Sequence, residues 1–296
     1  MAEIEPITYS NKGPLWARIL VMMLEYMTGR IWMEYTYDKC IKSHDKDVAQ
    51  KPEFPFFSTS LRELKVTADV KSGSLENIPK QGPIVVVANH PFGIIDGLLL
   101  NQLMYERRKD YYILTNQVLL KAERMVPFLI PIDDSETNEG TAINKASILK
   151  SMKHLRNGGA ICVFPAGRLA RPKGWKAPFE DLEWQELTAH FVKNVKAADT
   201  GETPTIVPIF FEGENSRLFR IAAMLKFFTI TRSLVIHECM NKVGKTIGVH
   251  IGKPIKPAHI PKDKSHLELA AWMREQTLAL PKMFKKKTDL GKGAEV

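Results

Sequence analysis

Apolar residues along this chain occur in two patterns, short continuous runs and longer stripes at helical spacing. Ile84, Val85, Val86 and Val87 make an unbroken run after Gly82 and Pro83. That is the pattern of a strand buried on both faces. Runs at 160–164 and 205–211 predict two more buried strands, and 111–115, 233–236 and 246–251 predict three short ones. Residues 65–71 alternate, with Val66, Ala68 and Val70 against Thr67 and Asp69, and predict a half-exposed strand. The stretch 125–132 also reads as extended, but Pro127 and Pro131 confine it to a sheet edge or an irregular lead-in. Helices are predicted at 98–107, 141–156, 180–198, 216–228 and 264–280. The second of these has an apolar face of Ile143, Ile148, Met152 and Leu155 and ends at Gly158-Gly159. Strands and helices alternating in this way predict an α/β domain, a central mostly parallel or mixed sheet flanked by helices.

The first 58 residues differ from the rest. Residues 1–13 read as a loose arm. Residues 15–37 are helical in character, with Leu15, Ile19, Met22 and Tyr26 in one stripe and Gly29 breaking the run into two short helices. Trp16, Tyr26, Trp32, Tyr35 and Tyr37 are aromatics of the kind favoured at a membrane interface. Two readings stand for this element: it lies in one leaflet, or it packs on the domain's own core. The polar stretch 42–58 reads as a connector. The expected division is an N-terminal arm and apolar helical element (1–58), an α/β domain (59–280) and a basic tail (281–296). The tail sets five lysines against Asp289 and Glu295, and either rests on anionic lipid or stays solvated.

Composition narrows the function. A hydrophobic fraction of 44% with 25% charged residues excludes a disordered chain. The formal charge of +9 and pI near 9.3 suit an anionic partner: nucleic acid, a membrane surface or a phosphorylated co-substrate. No nucleic-acid reading motif accompanies the charge, so no nucleic-acid partner is expected. Cys40, Cys162 and Cys239 are odd in number and far apart, which points to reduced thiols. No Cys or His spacing suits a metal site. Val243-Gly244-Lys245-Thr246 fails as a phosphate loop because position 239 is Cys where Gly is required. The first residues lack the features of a signal peptide, and no window offers the ~20 uncharged apolar residues of a spanning helix.

The candidate chemistry sits at the end of the Ile84–Val87 run. Ala88-Asn89-His90 is a polar break, Pro91 and Gly93 force a turn, and an apolar run resumes at Ile94, interrupted by Asp96 and Gly97. In open α/β sheets, ligands bind beyond the carboxyl ends of the strands. A His there can take a proton from a hydroxyl when a carboxylate orients it. Without further context, a loop His and a helix-first-turn Asp explain the same residues equally well.

The spacing of Asn89-His90 and Asp96 resembles the first block of the glycerolipid (lysophospholipid) acyltransferase superfamily, usually His, four residues, then Asp. Ile130-Pro131-Ile132-Asp133 stands where the family's second block would. Phe164-Pro165-Ala166-Gly167-Arg168 is similar to its Phe-Pro-Glu-Gly block, and Ile206-Val207-Pro208-Ile209 to its fourth. The resemblance spans roughly residues 60 to 255. The first-block wording and Phe211-Glu212-Gly213-Glu214-Asn215-Ser216-Arg217 look most like a bacterial branch of hemolysin-related proteins and lyso-ornithine-lipid acyltransferases. Two departures stand out: His90 and Asp96 are separated by five residues, and Ala166 occupies the usual Glu position. On one continuous helix the extra residue would turn the two side chains apart. The spacing therefore requires Pro91-Phe92-Gly93 to be loop and Asp96 to lie on the first helical turn.

The resemblance implies a membrane-peripheral or monotopic acyltransferase at the cytoplasmic face of the inner membrane. His90 and Asp96 would act as a general-base pair on the hydroxyl of a lyso-lipid, with lyso-ornithine lipid and lysophosphatidic acid as leading acceptors. The acyl thioester would arrive on acyl carrier protein or coenzyme A. No bound cofactor and no metal are expected. Asn89, Gly93, Gly167, Arg168, Arg171, Glu212, Asn215 and Arg217 are the expected substrate-binding residues. Of these, Gly167 is expected to leave backbone N–H groups for an anion, with Arg168 and Arg171 adding charge. The rival expectation is a membrane-binding relative that has lost activity with the missing Glu.

Overall fold

The computed structural model describes residues 14–135 and 137–283. The N-terminal part is helical: α1 (Leu15–Met27), α2 (Arg30–Gln50) and α3 (Phe56–Leu64). Then follow β1 (Thr67–Ser72), β2 (Ile84–Ala88), α4 (Ile94–Arg107), β3 (Tyr111–Asn116), β4 (Leu129–Ile132), α5 (Asn138–Arg156) and β5 (Ala160–Val163). A two-residue ribbon, β6 (Arg171–Pro172) with β7 (Phe179–Glu180), precedes α6 (Leu187–Asn194) and β8 (Thr205–Phe211). The chain continues through α7 (Arg217–Met224), α8 (Phe228–Met240), β9 (Thr246–Ile251) and α9 (His266–Leu278).

Seven strands form one mixed sheet in the order β1-β9-β8-β2-β5-β3-β4. β8 and β9 pair antiparallel, and every other neighbouring pair is parallel. β2 is therefore interior, paired with β5 on one side and β8 on the other. Its unbroken apolar run follows from this position. Ile84, Val86 and Ala88 pack into one core layer with Phe57, Leu99 and Met104, while Val85 and Val87 pack into a second with Phe191, Leu269 and Met273. Each such side chain stabilises the fold by roughly 1.5–3 kcal/mol. β4 is an edge strand, where Pro131 removes no ladder bond that the sheet needs. α9 begins at a reciprocal capping box, Ser265 with Glu268, and the Thr137 side chain caps α5.

Four expectations are corrected. Residues 42–50 continue α2, and the boundary expected at 58 falls inside α3, whose Phe56 and Phe57 belong to the main core with Cys40 of α2. Residues 233–236 are not a strand but the middle of α8: a short buried apolar run has no period that separates strand from helix. The helix expected at 180–198 shrinks to α6, because the segment before it is irregular and held by tertiary hydrogen bonds to His90 and Arg274. That expected at 216–228 ends at Met224, with Lys226 at φ +57 before α8. The break at Gly29 is observed, with φ +118 between α1 and α2, although α2 is far longer than expected.

The outward stripe of α1 does not enter the core. Leu15, Trp16, Ile19, Met23 and Met27 are all exposed, while the helix leans on α8 and α2. Among the described residues, no helix is long and apolar enough to cross a membrane. The expected arm 1–13 and most of the basic tail lie outside the described residues.

Candidate active site

The site is assembled where β2 ends. Gly93, at φ +86, ends the turn, α4 starts at Ile94, and Asp96 lies in its first turn. The condition set by the five-residue spacing is met. Nδ1 of His90 lies 3.0 Å from Oδ2 of Asp96, and the same oxygen accepts the Phe92 N–H at 3.1 Å. Asp96 is fully buried, whereas the His90 side chain keeps 19% of its surface exposed. An ionised carboxylate only accepts, so Nδ1 carries the hydrogen and Nε2 keeps a lone pair for a substrate proton. Burial pulls the imidazole pKa down. The charge and hydrogen bond of Asp96, with the charge of Asp181, outweigh burial and raise it above the ordinary 6.5.

The third sequence block folds against this pair. The Phe164 ring stacks on the His90 imidazole at 4.2 Å between centroids, and the His90 carbonyl accepts the Ala170 N–H at 2.9 Å. Ala166, where the family usually has Glu, is buried in the second core layer. Gly167 adopts φ +63, but its N–H is bonded to the Phe164 carbonyl at 2.9 Å, so that donor is not open to an anion as expected.

Asp181 belongs to this site and escaped sequence reasoning. Its Oδ1 accepts the backbone N–H of His90 at 2.9 Å, and its Oδ2 accepts the Trp184 indole N–H at 3.0 Å. Arg274 of α9 fastens the same segment through the carbonyls of Asp181 and Leu182. Burial lifts the Asp181 carboxyl to about 6, against the lowering pull of these bonds. In the sequence it falls inside an expected helix, 180–198, where nothing sets it apart from a solvated helix acid.

The other expected residues divide. Arg168 and Arg217 are exposed, and Arg171 sits in β6. Asn89 bridges β2 to β8, donating to the Phe211 carbonyl at 2.9 Å and accepting its N–H at 2.7 Å. Both halves of its amide are thus committed to the fold. Asn215 donates to the Pro91 carbonyl at 2.8 Å and supports the turn from below. Glu212 is paired with His250, whose Nε2 lies 2.7 Å from its Oε1. The structure therefore brings Gly93, Asp96 and the 164–167 block to His90, with Asn89 and Asn215 bracing the turn. Among the described residues, no group of three or more Asp, Glu, His or Cys could hold a metal ion.

A family model described as Acyltransferase matches residues 12–288. The chain belongs to the acyltransferase family. The superfamily resemblance carried by the four sequence blocks is confirmed. The chain is 29% identical over 240 residues to a lyso-glycine lipid O-acyltransferase of Phocaeicola vulgatus, covering 78% of this chain and 79% of the relative. It is 26% identical over 230 residues to a protein of the same description from Bacteroides thetaiotaomicron, covering 74% and 77%. It also resembles the crystal structure of the 1-acyl-sn-glycerophosphate (LPA) acyltransferase PlsC from Thermotoga maritima. That likeness has 14% identity and a TM-score of 0.42, over 91% of this chain and 95% of the other.

Proposed function

We propose that this acyltransferase moves a fatty acyl group from a thioester to the hydroxyl of a lyso-lipid, with His90 as general base and Asp96 as its orienting carboxylate. The observation that carries this reading is the buried Asp96 holding Nδ1 of a partly exposed imidazole at the mouth of the sheet. In the reaction, Nε2 takes the hydroxyl proton as the oxygen attacks the thioester carbonyl. The imidazolium that forms is steadied by Asp96. Collapse of the tetrahedral oxyanion breaks the C–S bond and expels the thiolate, which takes from His90 the proton that came from the acceptor hydroxyl. No acyl-enzyme is formed, and the donor is an acyl carrier protein or coenzyme A thioester.

The names of the two relatives favour an acceptor of the lyso-glycine lipid type over lyso-ornithine lipid or lysophosphatidic acid. The exposed apolar stripe of α1 supports peripheral seating in one leaflet; seating at the cytoplasmic face of the inner membrane is part of the same proposal. The deciding experiment incubates pure protein with labelled acyl-coenzyme A or acyl carrier protein and a panel of these three lyso-lipids. Incorporation into at least one, lost in His90→Ala, is the expected result. Vesicle binding without incorporation into any acceptor would favour a membrane-binding protein without chemistry.

A further inference from the structure

A cavity of about 450 Å³ opens beside the catalytic turn, walled by Phe92, Glu212, Glu214, Lys242, Lys245 and Gly248 among others. It is open to solvent on one side rather than enclosed. Its place follows from the topology. Because β9 runs antiparallel to β8, the first residues of β9 lie at the same rim as the last residues of β8 and β2. Gly248 in β9 and His90 after β2 are thus two strands apart, about 10 Å at sheet spacing. Phe92 joins the two places: its ring walls the cavity and its N–H is bonded to Asp96.

The lining sets two lysines, Lys242 and Lys245, against two carboxylates, Glu212 and Glu214. Both carboxylates are already engaged. Glu212 faces His250 at 2.7 Å, and Glu214 is paired with Arg220 at 3.1 Å and accepts the Phe179 N–H at 3.1 Å. The ammonium of Lys242 gives one N–H to the Glu214 carbonyl at 2.9 Å and lies 4.6 Å from the centre of the Phe92 ring. An ammonium has three donors. Burial holds Lys242 below the ordinary lysine range, Glu238 opposes this, and the positive charge of Lys245 adds to the lowering. Two cations thus bear on one another at a cavity whose carboxylates each have a hydrogen-bond partner other than a lysine side chain.

We infer that this cavity is an anion subsite, in which Lys242 and Lys245 hold a carboxylate or phosphate of one substrate while its reacting end lies at His90. The inference rests on the acyl-transfer reading. Two sources share this chemistry: the acidic head of the lyso-lipid acceptor and the phosphate of a phosphopantetheine donor arm.

The test has a binding arm and a kinetic arm, each run on wild type, Lys245→Ala and Lys242→Met. In the first, N-octanoylglycine and phosphopantetheine are titrated against thermal stability. One of them should stabilise the wild type and lose that effect in Lys245→Ala, whose exposed side chain has no folding role to confound the result. In the second, KM should rise at least about tenfold with kcat little changed, the loss of one charge-assisted hydrogen bond. A rise in acceptor KM assigns the lipid head, and a rise in donor KM assigns the pantetheine phosphate. Stabilisation by neither probe, or both KM values unmoved in an active enzyme, overturns the subsite. A wild type that transfers no acyl group overturns the acyl-transfer reading instead, and the binding arm still decides the subsite.

Discussion

Asp181 holds the backbone of His90 rather than its ring: the His90 N–H donates to Oδ1 of Asp181 at 2.9 Å, across 91 residues of chain. The other oxygen of the same carboxylate accepts from Trp184. His90 is therefore gripped from both sides, its imidazole by Asp96 and its peptide by Asp181.

This grip can be tested by a double-mutant cycle. In Asp181→Asn the amide oxygen can still accept from His90, but the amide N–H₂ then faces the indole N–H. Leaving that buried donor unmet costs roughly 1–3 kcal/mol. Adding Trp184→Phe removes the opposing donor and should restore part of the stability, measured by urea unfolding. A positioning role further requires kcat to fall in Asp181→Ala, which removes the acceptor of the His90 N–H, with acceptor KM nearly unchanged, and to be largely kept in Asp181→Asn. A double variant less stable than the sum of the two singles would contradict the opposed-donor account.

A second prediction concerns pH. His90 must be neutral to act as base, and its pKa is raised above 6.5 because Asp96 and Asp181 outweigh burial. As pH falls through that value the base is protonated and activity is lost, so the acid limb of kcat/KM should have its midpoint above 6.5. Asp96→Asn removes the largest raising influences and leaves burial, which lowers the pKa. Its acid limb should move to lower pH, and its plateau rate should drop by about 10²–10⁴-fold. A limb that stays in place would show that another group limits the rate.

The parts of this architecture legible in the sequence are those with a local cause. β2 announces itself because burial on two faces leaves no polar position in the run. Gly93 and the position of Asp96 were readable because the extra residue between His90 and Asp96 could be absorbed only by a turn. What stayed hidden depends on partners distant in sequence. Nothing local in Asp181-Leu182-Glu183-Trp184 says that its carboxylate meets a peptide 91 residues earlier. Asn89 reads as a site residue, and its bonds to both the N–H and the carbonyl of Phe211 on the neighbouring strand are not legible from the sequence. The run at 233–236 is apolar on any reading, and only its packing between α1 and α7 settles it as helix.

Gly213 provides a third prediction. It has φ +123, and a Cβ added there would fall 2.5 Å from the tip of the Phe92 ring. Gly213→Ala should both strain the backbone and push Phe92, whose N–H is bonded to Asp96. Stability should fall by about 1–3 kcal/mol, and kcat should fall with it. Gly82→Ala is the control, since Gly82 also has positive φ but open space where the Cβ would go. If both variants lose the same fraction of activity, the Phe92 ring does not transmit to the dyad.

The last prediction concerns α1. Its inner face leans on α8 and α2, so charge placed at Trp16 or Met23 on the outer face should not disturb the sheet. Each of these side chains would contribute roughly 1.5–3 kcal/mol if buried in the interfacial region. The pair Trp16→Glu with Met23→Glu should therefore weaken co-sedimentation with anionic vesicles by at least about tenfold. Activity on a short-chain acceptor below its micellar concentration should stay within about twofold of wild type, since both side chains are exposed and neither contacts the residues around His90. Raising salt should weaken vesicle binding of both proteins, because the +9 charge of the chain contributes independently of the apolar face. Vesicle binding that survives the double substitution at high salt would place the membrane contact elsewhere on the molecule.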